Sequence, residues 1–406
     1  MKELILNNSY INWMEGIINK YGYIDDSGFL INNMDSLSEQ DKDNIYKLKK
    51  FYSELIKFRK QGIKDYILEY NGNYYLFGVD YDYYCCTKCR EFKDVIHYKE
   101  FKNSFKKSMN DIFDELKDTV CDSLDKTDIK DVNKKLNGIN KPTIVTGVGG
   151  SFIVSDFASK VLNKKNKIIT RNSEVRDLLD MDLTGFYNIL SCSYSGSNYG
   201  VDISFLNNLK HYLLTAKDND YSDVNTIKYN MDKEDSFISL GATLVPCSIL
   251  LNYYLDGDKS FIDDIHEYKY NFDTKCDCFE IFSGYDTSVL SNYLDSTITE
   301  AGIGIPVVHD KYSYCHGRST LSVNRDNIAI YFNKNTDLDK IMLEELPKYY
   351  KNVVKIDVGE GLKGEYKALV QVMYLSKYLA SEVNKDLALV DYSPIVKKLY
   401  RFKGSM

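Results

Sequence analysis

The sequence predicts an α/β protein: two three-layer αβα domains with parallel sheets, preceded by a small α+β N-terminal domain. Three observations predict it. From Lys141 onward, short apolar runs of strand length alternate with stretches of helical period, the pattern of parallel sheets covered on both faces. The alternation runs once to about residue 262 and starts again near Cys278. Before about residue 125 the rhythm differs, helical, then a hairpin, then helical again. A chain of 406 residues holds two or three domains at ~150 residues each. The expected division is 1–125, 126–262 and 263–406.

The elements follow in order. Leu48, Tyr52, Leu55 and Phe58 fall at helical spacing within 38–60. Asp65 to Asp80 reads as two alternating runs joined at Asn71-Gly72, the dipeptide that favours a type I′ hairpin. Phe101, Phe105, Met109, Ile112, Leu116 and Val120 line one face of an amphipathic helix. Pro142 to Thr146 is a strand, Gly147-Val-Gly-Gly-Ser151 a turn, and Ile153, Phe157 and Val161 stripe the helix that follows. Ile168-Ile169, Tyr187 to Ser191 and Leu213-Leu214 mark further strands, and 238–254 an apolar helix. The second round has a strand over Cys278 to Phe282, a helix over 287–301, a strand ending at His309, and strands over Ile328 to Phe332 and Val353 to Val358.

Composition removes several classes. The hydrophobic share is 44% and the charged share 27%, ordinary for globular chains. Fifty-two basic against 59 acidic residues leave a net charge of −7 with no long basic block, so nucleic acid is not an expected partner. No apolar run reaches the ~18 residues of a membrane span, and the start MKELILNNSYINW is too short in apolar residues for a signal-peptide core. Nine cysteines, mostly single, read as reduced thiols of a cytoplasmic protein. Cys85 stands beside Cys86-x-x-Cys89, which has zinc spacing, but no second pair lies nearby. Neither a metal nor a cofactor is expected.

Two loops carry the chemistry. Gly147-Val-Gly-Gly-Ser151 lacks the third glycine of a dinucleotide fingerprint, Phe152 standing there, and no Gly-x-x-x-x-Gly-Lys-Ser/Thr string occurs. What remains is a glycine turn from a strand end into a helix, where free amides favour an anion. Ser193, Ser195 and Ser197 surround Gly196 in the same setting, followed by Asn198. Loops at successive strand ends of one parallel sheet meet at its ligand crevice.

Gly149-Gly150-Ser151, followed about forty residues later by Ser193-Tyr-Ser-Gly-Ser-Asn198, resembles the signature of the SIS (sugar isomerase) domain family. Ser239-Leu-Gly-Ala-Thr243 resembles a further stretch of it, without its Lys. The second half is similar to the second SIS domain of double-SIS enzymes, such as the isomerase half of glucosamine-6-phosphate synthase and the fructosamine-phosphate deglycases. Glu300 lies sixteen residues before His316-Gly317, the spacing of the family. The departures are Thr297 in place of a Lys, Arg318 in place of a Pro, and Asn198 in place of the common Thr. A glutaminase segment beginning at Cys is not matched, because position 2 is Lys2.

The resemblance implies a phosphosugar enzyme, an aldose–ketose isomerase or an amino-sugar phosphate isomerase or deglycase. Gly149, Gly150, Ser151, Ser193, Ser195, Gly196, Ser197, Asn198 and Arg318 would bind the sugar phosphate. Glu300 would shuttle the proton, His316 open the ring, and Lys397 stabilise the oxyanion or an imine. It also implies a homodimer in which His316 serves a neighbour's site. The chemistry agrees: moving a proton between adjacent carbons needs a carboxylate base and an acid/base for ring opening. Tyr293, Ser296 and Thr297 share the helix face of Glu300. The competing reading is a non-catalytic SIS pair that senses a sugar phosphate or nucleotide-like ligand.

Overall fold

The structure, a computed structural model, describes residues 108–389 except 197–198, 220, 233, 235, 277 and 323–324, together with four strands nearer the N-terminus. The chain divides into two compact units, Met1–Lys106 and Lys107–Met406. In the first, β1 (Gly22–Asp25) pairs antiparallel with β2 (Gly28–Ile31), and β3 (Tyr66–Tyr70) with β4 (Asn73–Phe77). Tyr70 faces Asn73, so the second pair leaves the two-residue gap that Asn71-Gly72 predicts. The helix expected within 38–60, Cys85, Cys86, Cys89, Lys397, Ser197 and Asn198 lie outside the described residues.

The second unit opens with α1 (Met109–Asp114) and α2 (Leu116–Lys126), separated at Glu115. The sequence predicts one helix here; the stripe of Met109, Ile112, Leu116 and Val120 is buried as expected, yet the helix is in two pieces. Ser108 and Asp111 form a reciprocal cap that starts α1. After α3 (Ile129–Asn137) the chain enters a five-stranded parallel sheet. Its elements are β5 (Thr143–Gly147), α4 (Gly150–Asn166), β6 (Thr170–Glu174), β7 (Asn188–Cys192), α5 (Tyr199–Ser204), β8 (Lys210–Thr215) and β9 (Asn225–Lys228). The helix α6 (Gly241–Tyr254) follows. The order β9-β8-β7-β5-β6 is parallel throughout, with Thr143 beside Asn188 on one side and Thr170 on the other.

A second parallel sheet is built on the same plan from β10 (Phe279–Ser283), α7 (Ser288–Glu300), β11 (Pro306–Asp310), β12 (Ile328–Asn333), α8 (Asp337–Glu345), β13 (Asn352–Asp357) and α9 (Gly361–Glu382). Its order is β11-β10-β12-β13. In each sheet the first strand lies inside, the second pairs on one side, and the third crosses to the other. That reversal creates a crevice at the carboxyl ends of β5 and β7, and again at β10 and β12.

The central strands β5, β7, β10 and β12 are buried along their whole length, which is why apolar residues dominate their middles instead of alternating with exposed polar ones. One continuous core joins the two sheets through α4, α6, α7 and α9, including Phe157, Leu250, Leu294 and Leu369. Helix α6 is apolar all round and buried accordingly. Charges enter this layer only in company: Lys160 of α4 meets Glu365 of α9 at 2.5 Å, with both side chains almost wholly buried. Asp156, one turn back, accepts from Ser288 at 2.6 Å and Asn292 at 3.3 Å on α7. Among the described residues no helix is long and apolar enough to cross a membrane.

Candidate functional site

The first loop is shaped by glycines. A side chain on Gly147 would put its Cβ 2.2 Å from the Ser151 carbonyl oxygen, so only glycine lets the turn close back on β5. Gly149 has φ of +57°, a left-handed backbone that favours glycine. The amides of Ser151 and Phe152 donate to the carbonyls of Val148 and Gly149, so the first turn of α4 satisfies part of its own demand. Gly150 remains at the head of the helix, facing Ser239 and Thr243, and the positive end of the helix dipole opens there.

Across from Gly150 stands the end of α7. Gly150, Ile153, Ile238, Ser239, Thr243, Tyr293, Ser296, Thr297 and Glu300 line one open pocket. The three motifs that supply it are far apart in sequence: the glycine turn, the Ser239–Thr243 stretch, and the helix face that carries the acid. Ser296 donates to Glu300 Oε1 at 2.6 Å, an i, i+4 contact that orients the carboxylate. Glu300 itself is exposed, at the last position of its helix. The chemistry available is a positioned carboxylate opposite a helix N-terminus, among five hydroxyl-bearing neighbours.

Sequence reasoning missed Glu234. Its two carboxylate oxygens accept from the amides of Gly241 and Ala242, each at 2.9 Å, and so cap α6. Burial pushes its pKa up, and these amide bonds pull it back. An acid in the loop before a helix start is the only trace this leaves in the sequence. The Tyr293 phenol is raised by burial, with the carboxylates of Glu234 and Glu300 adding to the effect.

The other expected residues lie elsewhere. Ser193 is 3% exposed and accepts a hydrogen bond from the Gly196 amide at 3.2 Å, which folds its loop inward, while Ser195 is exposed. The carboxyl ends of β5 and β7 are neighbours, so the two loops rise side by side. Ser151, Ser193 and Ser195 are not among the described residues lining the pocket. His316 and Arg318 are exposed in the segment after β11 and do not line it either; the His316 amide donates to the Ser313 carbonyl at 3.1 Å. His309 is structural: 1% exposed, it meets Glu280 Oε2 at 2.8 Å. Among the described residues no cluster of three or more His, Cys, Asp or Glu is arranged to hold a metal.

No protein-family model matches the sequence, and no curated protein matches it significantly. Solved structures do match. The C-terminal domain of glucosamine-fructose-6-phosphate aminotransferase from Francisella tularensis superposes with a TM-score of 0.53 at 14% identity, covering 71% of this chain and 99% of its own. Glucosamine-6-phosphate deaminase from Thermotoga maritima gives 0.54 at 15% identity, covering 71% and 96%. Tagatose-6-phosphate ketose/aldose isomerase from Escherichia coli gives 0.56 at 11%, covering 70% and 95%. Such distant likeness speaks for architecture alone, and it agrees with the repeated sheet plan: the chain has the double SIS-type fold of these structures.

Proposed function

We propose that the pocket between α4 and α7 binds a sugar phosphate, and that Glu300 is the base of an aldose–ketose isomerisation or of the related addition or removal of an amine. The observation that carries this reading is the meeting of Gly150, Ser239 and Thr243 with Glu300 in one pocket. In such a reaction the carboxylate takes the proton from the carbon beside the carbonyl. An enediolate forms, the neighbouring hydroxyl gives its proton to the former carbonyl oxygen, and the carboxylate returns its own proton to the former carbonyl carbon. The Ser193–Ser197 loop and the head of α4 would hold the phosphate through amides and hydroxyls. His316, outside this pocket, would serve a second copy of the chain, and Lys397 would reach the sugar from the C-terminal segment. Arg318, beside His316, would act with it.

A second reading has an observation of its own. Among the described residues no Lys, Arg or His lines the pocket, so a SIS pair that binds its ligand without turnover also fits. Purified protein incubated with fructose, tagatose and glucosamine 6-phosphates separates the two, with thermal shift reporting binding and mass spectrometry or chromatography reporting product. Binding with conversion, in a fraction that light scattering reads as a dimer, is the expected result. Binding alone makes the protein a sensor, and no binding removes the phosphosugar reading.

A further inference from the structure

One polar group in the pocket lacks a well-placed partner. Tyr293 is 1% exposed, and among the described residues its hydroxyl has no hydrogen bond of good geometry, although the neighbouring Thr297 hydroxyl is close enough to lower its pKa. It lines the pocket beside Thr297 and Glu300. Buried hydroxyls are nearly always paired, because losing water without a replacement costs stability. Of the two carboxylates that act on it, Glu234 caps α6 through both oxygens, and Glu300 accepts from Ser296 through Oε1. A phenylalanine would fill the same space without the unmet group, so the oxygen has no role in the packing.

We infer that Tyr293 is a ligand-contacting residue, its hydroxyl donating to a neutral oxygen of the molecule on which Glu300 acts. Burial and the two carboxylates keep the phenol protonated at neutral pH, so a donor is what it offers. The same carboxylates disfavour a phosphate at this point; a carbonyl or hydroxyl oxygen near the reacting carbons suits it. This rests on the phosphosugar reading of the pocket and adds a contact to it.

Tyr293→Phe in the full chain tests the inference. Wild type and variant are titrated by calorimetry with fructose, tagatose and glucosamine 6-phosphates, and both ligand-free proteins are melted. The expected result is affinity weaker by about fivefold in the variant for the tightest probe, with a ligand-free melting temperature equal to wild type or higher. Equal affinity in the variant overturns the inference and leaves the pocket reading standing. A lower melting temperature overturns it too, because the hydroxyl is then held inside the protein, with Thr297 the adjacent hydroxyl. If no probe binds wild type, the phosphosugar reading fails and the inference falls with it.

Discussion

Single residues show where a sequence can and cannot be read. The contact of Ser296 with Glu300 was legible from the four-residue step along a helix. The buried Lys160–Glu365 pair was not, because 205 residues separate its members and neither sits in a recognisable motif. That pair gives the molecule a pH response. Burial raises the Glu365 pKa from 4.5 to about 7, with Lys160 opposing and Asp156 adding to the rise. The Asp156 pKa is raised by burial as well. A raised carboxyl pKa means the folded state binds the proton more tightly than the unfolded chain. This group's contribution to stability therefore declines as pH rises from about 4.5 to about 7 and is level above that. Glu365→Gln removes the response. Urea unfolding of both proteins across this window should show wild type losing stability relative to the variant as pH rises. A constant difference would contradict the assignment.

Among the elements, strands buried on both faces and helices with one apolar stripe were the legible ones. β9 was missed because Asn-Thr-Ile-Lys offers one buried apolar residue, Ile227, and an edge strand needs no more. The break at Glu115 was missed because the apolar stripe continues across it, and periodicity alone does not register a cap. The glycine turn was legible as a turn, but its closeness was not: at Gly147 the obstruction is backbone, which cannot swing aside as a side chain can. Gly147→Ala should therefore lower stability by about 2 kcal/mol and disorder the head of α4. Urea denaturation reads the first effect; a stability equal to wild type would show that the turn is looser than its geometry.

At the scale of the whole molecule, two sheets of the same winding order share a helical layer, and the pocket lies where the head of α4, from the first sheet, meets the end of α7, from the second. Alternation of strands and helices made the two-sheet plan legible. Most residues of the pocket's wall stand in motifs or stripes named from the sequence, but their meeting was not legible, since the Gly150–Thr243 approach and the Glu234 cap behind it depend on packing between separate segments. The central claim is that Glu300 moves a proton on a bound sugar phosphate. Its most direct test is deuterium exchange into C1 or C2 of the tightest-binding sugar phosphate in heavy water, followed by NMR for wild type and Glu300→Gln. Loss of a positioned base costs ~10²–10⁴ in rate, so exchange by wild type and a drop of that size in a variant that still binds the sugar is the predicted result. Exchange by the variant at the wild-type rate, or none by wild type with its ligand bound, would contradict it.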